Sequence, residues 1–337
     1  MKKHCPLLVI VLCVLYGFKD QIDPLFTVPQ NFPKPVYDFK KNPLSEEKIT
    51  LGRSLFYDPL LSRDETISCA SCHLQNTAFT HIDHATSHGI DGRISNRNSP
   101  VLINLAWNKS FMWDGSVHHI DAQALAPIEN PLEMDEKLSN VVNKLNKSKF
   151  YKKLFYKAYG DSLATGERTL KSISQFLLTL VSSNSKYDKV LRKEKGFEFN
   201  EYEQKGYKLF KANCAVCHTE PLFTNRNFEN NGLQPDQYFK DGGRIKITKN
   251  KKDSLKFKVP TLRNIELSYP YMHDGRFKNL QMVLFHYTEN IHKSSTLSPH
   301  LKKKINLSEQ DKNNIIAFLK TLTDEEFTNN LNFSYPK

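Results

Sequence analysis

The chain has 337 residues, enough for two domains of ordinary size, and its 39% apolar and 25% charged residues place it with soluble globular proteins. The formal net charge is +12. That charge would suit a nucleic-acid binder, but the lysines are scattered and no nucleic-acid motif accompanies them, so the basic surface is read as a solvated face or as a docking face for an acidic partner such as a small electron-carrying protein.

In chain order, residues 1–20 read as an export signal or anchor. Met1-Lys2-Lys3-His4 is a basic start, Cys5 to Phe18 is almost wholly apolar, and Lys19-Asp20 ends the run. The run is too short for a comfortable membrane span and fits a secretory core, which places the protein in the periplasm or otherwise outside the cytoplasm. No small-x-small cleavage site follows, so a retained N-terminal anchor is the alternative; Leu12 before Cys13 is the wrong size for a lipoprotein signal. Residues 21–45 carry several Pro and Lys and read as an extended lead-in. Ser45-Glu46-Glu47-Lys48 predicts a helix start, Ile49, Leu51, Leu55 and Phe56 continue at helical spacing, and Asp58-Pro59 ends the helix. Residues 136–195 read as mainly helical, with one apolar stripe at Val141, Leu145, Phe150, Leu154 and Phe155 and another at Leu170, Ile173, Phe176, Leu177 and Leu180. Glu201 to Phe210 predicts a further helix, residues 219–260 read as loop, and a last helix is expected over about Ser308–Leu322, capped by Ser308.

Cys5 and Cys13 lie in the export segment, and the other four of the six cysteines fall in Cys69-Ala70-Ser71-Cys72-His73 and Cys214-Ala215-Val216-Cys217-His218. No disulfide framework is left over. C-x-x-C-H lets two thiols add across the vinyl groups of a haem while the adjacent His lies under the iron as proximal ligand. The competing reading, two zinc half-sites, is outweighed because chance gives roughly 0.004 C-x-x-C-H motifs in a chain of this composition and this one has two. Two covalently bound haem c groups are therefore expected, and their propionates, roughly four, offset part of the net charge. Each motif follows a helix of the same design: Gly52-Arg53-Ser54-Leu55-Phe56 before the first and Gly206-Tyr207-Lys208-Leu209-Phe210 before the second. That repeat predicts a mainly α fold of two tandem cytochrome c-like domains with an inter-domain cleft, the first over 46–195 and the second over 196–328.

Arg97-Asn98-Ser99-Pro100, Phe111-Met112-Trp113-Asp114-Gly115, Gln123 through Met134, Pro260-Thr261-Leu262-Arg263-Asn264 and Pro270-Tyr271-Met272-His273-Asp274-Gly275 complete the pattern. With them the sequence resembles the bacterial di-haem cytochrome c peroxidases, including their MauG-like branch, over about residues 45–325. The resemblance implies that the first haem is peroxidatic and the second receives electrons. It implies that Glu133 is the acid–base group for O–O cleavage, that Gln123 and Pro127 line the same distal pocket, and that Trp113 relays electrons between the haems. It also implies an inter-domain calcium ion held by the Asn98 side chain and by backbone carbonyls at Ser268 and Pro270, oxygen donors of the kind calcium takes. Homodimers are expected by analogy alone.

The sequence departs from the family pattern at the sixth iron ligands. In the loop after the first motif, where typical peroxidases have a ligating His, this chain has Ile90, with His81, His84 and His88 nearby. An open first haem is the expectation. At the second haem Tyr287 stands where typical peroxidases have Met, as in MauG, and Met272 competes, with His286 a weaker candidate. Tyrosinate would lower the potential of that iron and methionine would raise it. The leading functional expectation is reduction of hydrogen peroxide to water with electrons from a reduced cytochrome or cupredoxin-like donor. The alternative is a MauG-like oxidase that draws electrons from a protein or other substrate through a high-valent iron state. A di-haem electron carrier without catalysis is the third reading, and Glu133 argues against it.

Overall fold

The computed structural model describes residues 22–336. The export signal or anchor therefore lies outside the described residues. Among the described residues no helix is long and apolar enough to cross a membrane. The lead-in is not uniformly extended. It contains turns and a short 3-10 segment at Phe39–Lys41, and Phe26, Phe32 and Phe39 are buried in the first core. Trp107 anchors it, donating from its indole nitrogen to Pro33 O at 2.6 Å.

The described residues fold mainly as helices. In the first half these are α1 (Glu46–Tyr57), α2 (Cys69–Cys72), α3 (Leu125–Glu129), α4 (Leu138–Lys147), α5 (Lys149–Tyr159) and α6 (Gly166–Thr179). In the second half they are α7 (Lys186–Leu191), α8 (Glu201–Asn213), α9 (Ile245–Thr248), α10 (Leu280–Glu289), α11 (Glu309–Lys320) and α12 (Glu325–Thr328). Two short strands, β1 (Phe228–Glu229) and β2 (Phe257–Lys258), pair antiparallel inside the stretch expected to be loop. The caps read from sequence are present: Ser45 accepts from Lys48 N at α1, and Ser308 with Asp311 forms a capping box at α11. The second apolar stripe is buried throughout. In the first, Val141, Leu145 and Phe155 are buried, whereas Phe150 is 56% exposed because α5 turns the adjacent Tyr151, not Phe150, into the core.

The halves repeat one design. Helix α1 lies against α6 at Gly52, where a Cβ would stand 1.8 Å from Ser172 O; α8 lies against α11 at Gly206, where a Cβ would stand 1.8 Å from Asn314 O. Only glycine permits helices to approach that closely at these points. A second repeat follows each haem motif. Pro100 to Val117 and Pro260 to Phe277 share Pro, Leu, Asn, Met, Asp and Gly in the same register. Asn104 and Asn264 both take left-handed backbone, as do Met112 and Met272, and the bridges Phe111–Val117 and Tyr271–Phe277 close equivalent turns. Each half has its own apolar core, with Leu51, Phe79 and Phe176 in the first and Phe210, Phe223 and Phe318 in the second. The two halves interlock near the C-terminus, where Phe327 of α12 packs back onto the first core.

Candidate functional site

Two deep cavities flank the seam between the halves. The first, of about 320 Å³, is lined by Cys69, Cys72, His73, Met112, Gln123, Pro127 and Glu133. The second, of about 230 Å³, is lined by Cys214, Cys217, His218, Lys258, Met272 and Tyr287. Asn98, Pro100 and Trp113 line both.

The residues present fit a covalently held haem in each cavity. All four cysteines are unpaired thiols. A single turn of α2 brings Cys69 and Cys72 to the cavity with His73 directly after it. The Nδ1 of His73 meets Phe79 O at 2.7 Å, and that of His218 meets Phe223 O and Pro260 O, each at 3.2 Å. A carbonyl only accepts, so Nδ1 carries the proton and Nε2 keeps its lone pair for iron. Burial pushes both imidazoles down to about 4, the carbonyls opposing it, so they are neutral at pH 7. Phe79 and Phe223 are both fully buried and both left-handed, with φ of 59° and 53°. This repeated strain aims the two carbonyls at the histidines. Sequence reading missed both residues, although a Phe follows each motif within a few positions.

Glu133 stands on a braced loop of the first cavity. Asn130 Nδ2 donates to its Oε1 at 2.7 Å, and Asn130 O accepts from Glu133 N at 3.0 Å. From behind, Ile90 N donates to Glu133 O at 2.8 Å, and Gly89 sits so close that a Cβ would stand 2.5 Å from the same oxygen. Burial raises the carboxyl above its ordinary 4.5, with Asn130 partly opposing. Burial raises the Cys69 and Cys72 thiols, with the Glu133 charge adding to it, and all three groups line the same cavity. Gln123 Nε2 meets Met112 Sδ at 3.8 Å beside it. Pro127 and Tyr287 occupy equivalent positions of the repeat, so the first cavity has no side-chain ligand atom where the second has a phenol. His81, His84, His88 and Ile90 do not line the first cavity.

Trp113 is fixed at both ends: Nε1 donates to Asn98 O at 2.8 Å, and its carbonyl accepts from Lys258 N at 2.7 Å. Asn98 ties the halves together through its N–H to His273 O at 2.7 Å and its Nδ2 to Pro270 O at 2.9 Å and Ala85 O at 3.2 Å. Ser268 lines the second cavity beside Pro270. Among the described residues no group of three His, Cys, Asp or Glu is arranged to hold a metal ion. Any cation at Asn98 would therefore take amide and carbonyl oxygens.

In the second cavity Tyr287 is enclosed, and burial raises its hydroxyl to about 12 while Asn231 opposes. His286 is turned away, its Nε2 donating to Asn231 O at 3.0 Å. Lys258 lines this cavity with no acidic partner among the described residues, and burial brings its ammonium down to about 8.

Residues 46–196 match the di-haem cytochrome c peroxidase family and residues 203–323 the cytochrome c family. A methylamine utilization protein MauG of Methylorubrum extorquens is 36% identical over 89% of this chain and 84% of its own length. The cytochrome c551 peroxidase of Nitrosomonas europaea is 35% identical over 87% of this chain and 85% of its own. A solved MauG-like protein associated with microbial copper homeostasis superposes with a TM-score of 0.79, at 32% identity, over 92% of this chain and 98% of that one. The chain belongs to the di-haem cytochrome c peroxidase family: it is an oxidoreductase of mainly α fold, and membership implies two haem c groups.

Proposed function

We propose that the chain is an extracytoplasmic peroxidase that reduces hydrogen peroxide in the first cavity with electrons from a small reduced donor protein. Cys69, Cys72 and His73 hold the first haem within domain 46–195. Cys214, Cys217 and His218 hold the second within 196–328. When bound, the first haem supplies the iron at which the peroxide O–O bond is broken and to which electrons are delivered. Each turnover takes one hydrogen peroxide, two protons and two electrons and gives two waters. As carboxylate, Glu133 takes the proton from one peroxide oxygen and returns it to the other as that oxygen leaves as water. Asn130 occupies Oε1, which leaves Oε2 to move the proton. Gln123 orients the peroxide, and Pro127 leaves the space above the proximal His73 clear. Trp113, shared by both cavities, carries electrons between them. Asn98 supports a calcium ion: turning its amide presents Oδ1 to a cation beside the Ser268 and Pro270 carbonyls.

The observation that carries this reading is a buried, hydrogen-bonded carboxylate of raised pKa lining the same cavity as the histidine of the first C-x-x-C-H motif. Steady-state oxidation of a reduced cytochrome c by hydrogen peroxide tests it. Turnover is expected, with Glu133→Gln slower by about 10²–10⁴-fold; turnover unaffected by that change would sink the assignment. The presence of Tyr287 beside Met272 favours one second reading, a MauG-like oxidase, because a phenolate ligand lowers the second iron's potential. That reading expects a long-lived oxidised state after peroxide that reduced cytochromes quench poorly.

A further inference from the structure

Tyr287 and Met272 converge on one side chain that the sequence did not single out. Asn231 Nδ2 lies 3.4 Å from Met272 Sδ and 3.5 Å from the Tyr287 hydroxyl. The side-chain amide is held by its own oxygen, Oδ1, which accepts from Leu233 N at 3.3 Å. The backbone beneath it is fixed too: Asn231 O accepts from His286 Nε2 at 3.0 Å, and the neighbouring Asn230 donates to Ser294 Oγ and Thr296 Oγ1, each at 2.9 Å. Ser298 N donates to Asn230 O at 3.0 Å, and His292 N to Gly232 O at 2.8 Å. Gly232 itself takes φ +71° to pass beneath Ile291. Strand β1, paired to β2, fixes the approach from the other side.

An amide whose oxygen is bonded this way turns its two N–H groups toward the cavity. For sulfur, 3.4 Å is a close contact; for oxygen, 3.5 Å is loose. The amide therefore holds the thioether through one of its lone pairs at close contact and the phenol oxygen only loosely. The first cavity contains the same pairing, with Gln123 Nε2 3.8 Å from Met112 Sδ, at the methionine that the repeat makes equivalent to Met272. There the equivalent of Tyr287 is Pro127, which has no ligand atom.

We propose that Asn231 is a positioning residue that keeps the Met272 thioether off the second haem iron and so assigns the sixth position to Tyr287. The same amide–thioether device, without a phenol, keeps Met112 aside and leaves the first haem open. The second N–H of Asn231 Nδ2, 3.5 Å from the Tyr287 oxygen, would donate to a phenolate there as a charge-assisted hydrogen bond. This rests on the reading of the second cavity as a haem site with Tyr287 and Met272 as rival ligands.

The test uses the purified holoenzyme with both haems. Its readouts are the thioether-to-iron charge-transfer absorption of the ferric protein and the midpoint potential of the second haem. The wild type is expected to lack that absorption, and Met272→Leu is expected to leave spectrum and potential unchanged. Asn231→Leu is expected to gain the absorption and raise the potential, and Met272→Leu placed on top of it to abolish both changes. Asn231→Asp keeps the side-chain shape without the donors, and gains the same absorption if the leucine variant loads haem poorly. An Asn231 variant that binds both haems and keeps the wild-type spectrum overturns the role of Asn231 while leaving Tyr287 as ligand. A thioether absorption already present in the wild type and lost in Met272→Leu overturns the Tyr287 ligation as well.

Discussion

Single side chains set the chemistry of this protein through what their neighbours do to charge. Glu133 must be ionised to accept a proton, and its burial shifts the titration upward from the ordinary 4.5. The acid limb of kcat/KM for peroxide is therefore expected above that value. Asn130 donates to the ionised form, so Asn130→Ala removes a stabiliser of the carboxylate and moves the limb to still higher pH. A pH profile of the two proteins checks the order, and a limb that stays in place would remove Asn130 from the mechanism. Lys258 works by a different route. It is a cation without an acidic partner among the described residues, in the cavity that holds His218 and Tyr287. A nearby positive charge disfavours the more positive ferric form, so Lys258→Gln is expected to lower the second haem's midpoint potential. Redox titration of both haems distinguishes this from a general loss of structure, because only the second potential should move.

At the scale of elements, the haem sites hang on two helix pairs, each closed by one glycine. Ala at Gly206 would drive a methyl group into Asn314 O, and backbone on both sides cannot yield as a flexible side chain would. Gly206→Ala is expected to destabilise the holoprotein by about 1–3 kcal/mol, read as a lowered Tm, and Gly52→Ala to do the same against Ser172. Both glycines were visible in the sequence, within the repeated Gly-x-x-Leu-Phe, because helix periodicity and the C-x-x-C-H motif are local patterns. The reason for the glycines was not, since it depends on a contact with α6 or α11 over 100 residues away in the chain. The same distinction explains the rest. Cys69, His73, Cys214 and His218 were expected from spacing alone, and Glu133, Gln123 and Trp113 from family resemblance, and all of them line the two cavities. Asn130, Phe79, Phe223 and Asn231 were not, because a short polar residue in a loop declares its partner only when the loop is folded. The β1–β2 pair was hidden for a related reason: strands of two residues carry no periodicity. Phe150 was misplaced because a stripe of five apolar positions continued past the end of α4 into a helix of different orientation.

At the scale of the whole molecule, the proposed electron flow through Trp113 would require that the seam between the halves hold it still. The seam is closed beside Trp113 by Arg97. Its Nε and Nη2 donate to the two Asp241 oxygens at 2.6 and 3.0 Å, and its Nη1 to Asp114 at 2.7 Å. Asp241 belongs to the second half of the chain and Asp114 to the turn that carries Trp113, so one guanidinium clamps the tryptophan turn to the opposite half. Burial alone would raise the Asp241 carboxyl. The Arg97 guanidinium, the Gly243 N–H and Lys246 outweigh it and hold the group well below the usual carboxylate range. A carboxyl depressed on folding stabilises the fold fully above its unfolded value, near 3.8, and that stabilisation disappears only as pH falls through the lower folded value. Asp241→Asn should therefore cost about 2–3 kcal/mol at neutral pH, the worth of charge-assisted hydrogen bonds discounted for the partial exposure of Arg97 and for its remaining bond to Asp114. The gap in Tm between wild type and variant should stay constant down to the usual carboxylate range and close only below it. Electron transfer between the haems, followed after rapid reduction of the second, should slow in the variant at neutral pH while both haems remain bound. A variant that is less stable yet transfers electrons at the wild-type rate would show that the clamp serves the fold alone. One that slows without losing stability would show that the tryptophan's position, rather than the cohesion of the halves, is what Arg97 holds.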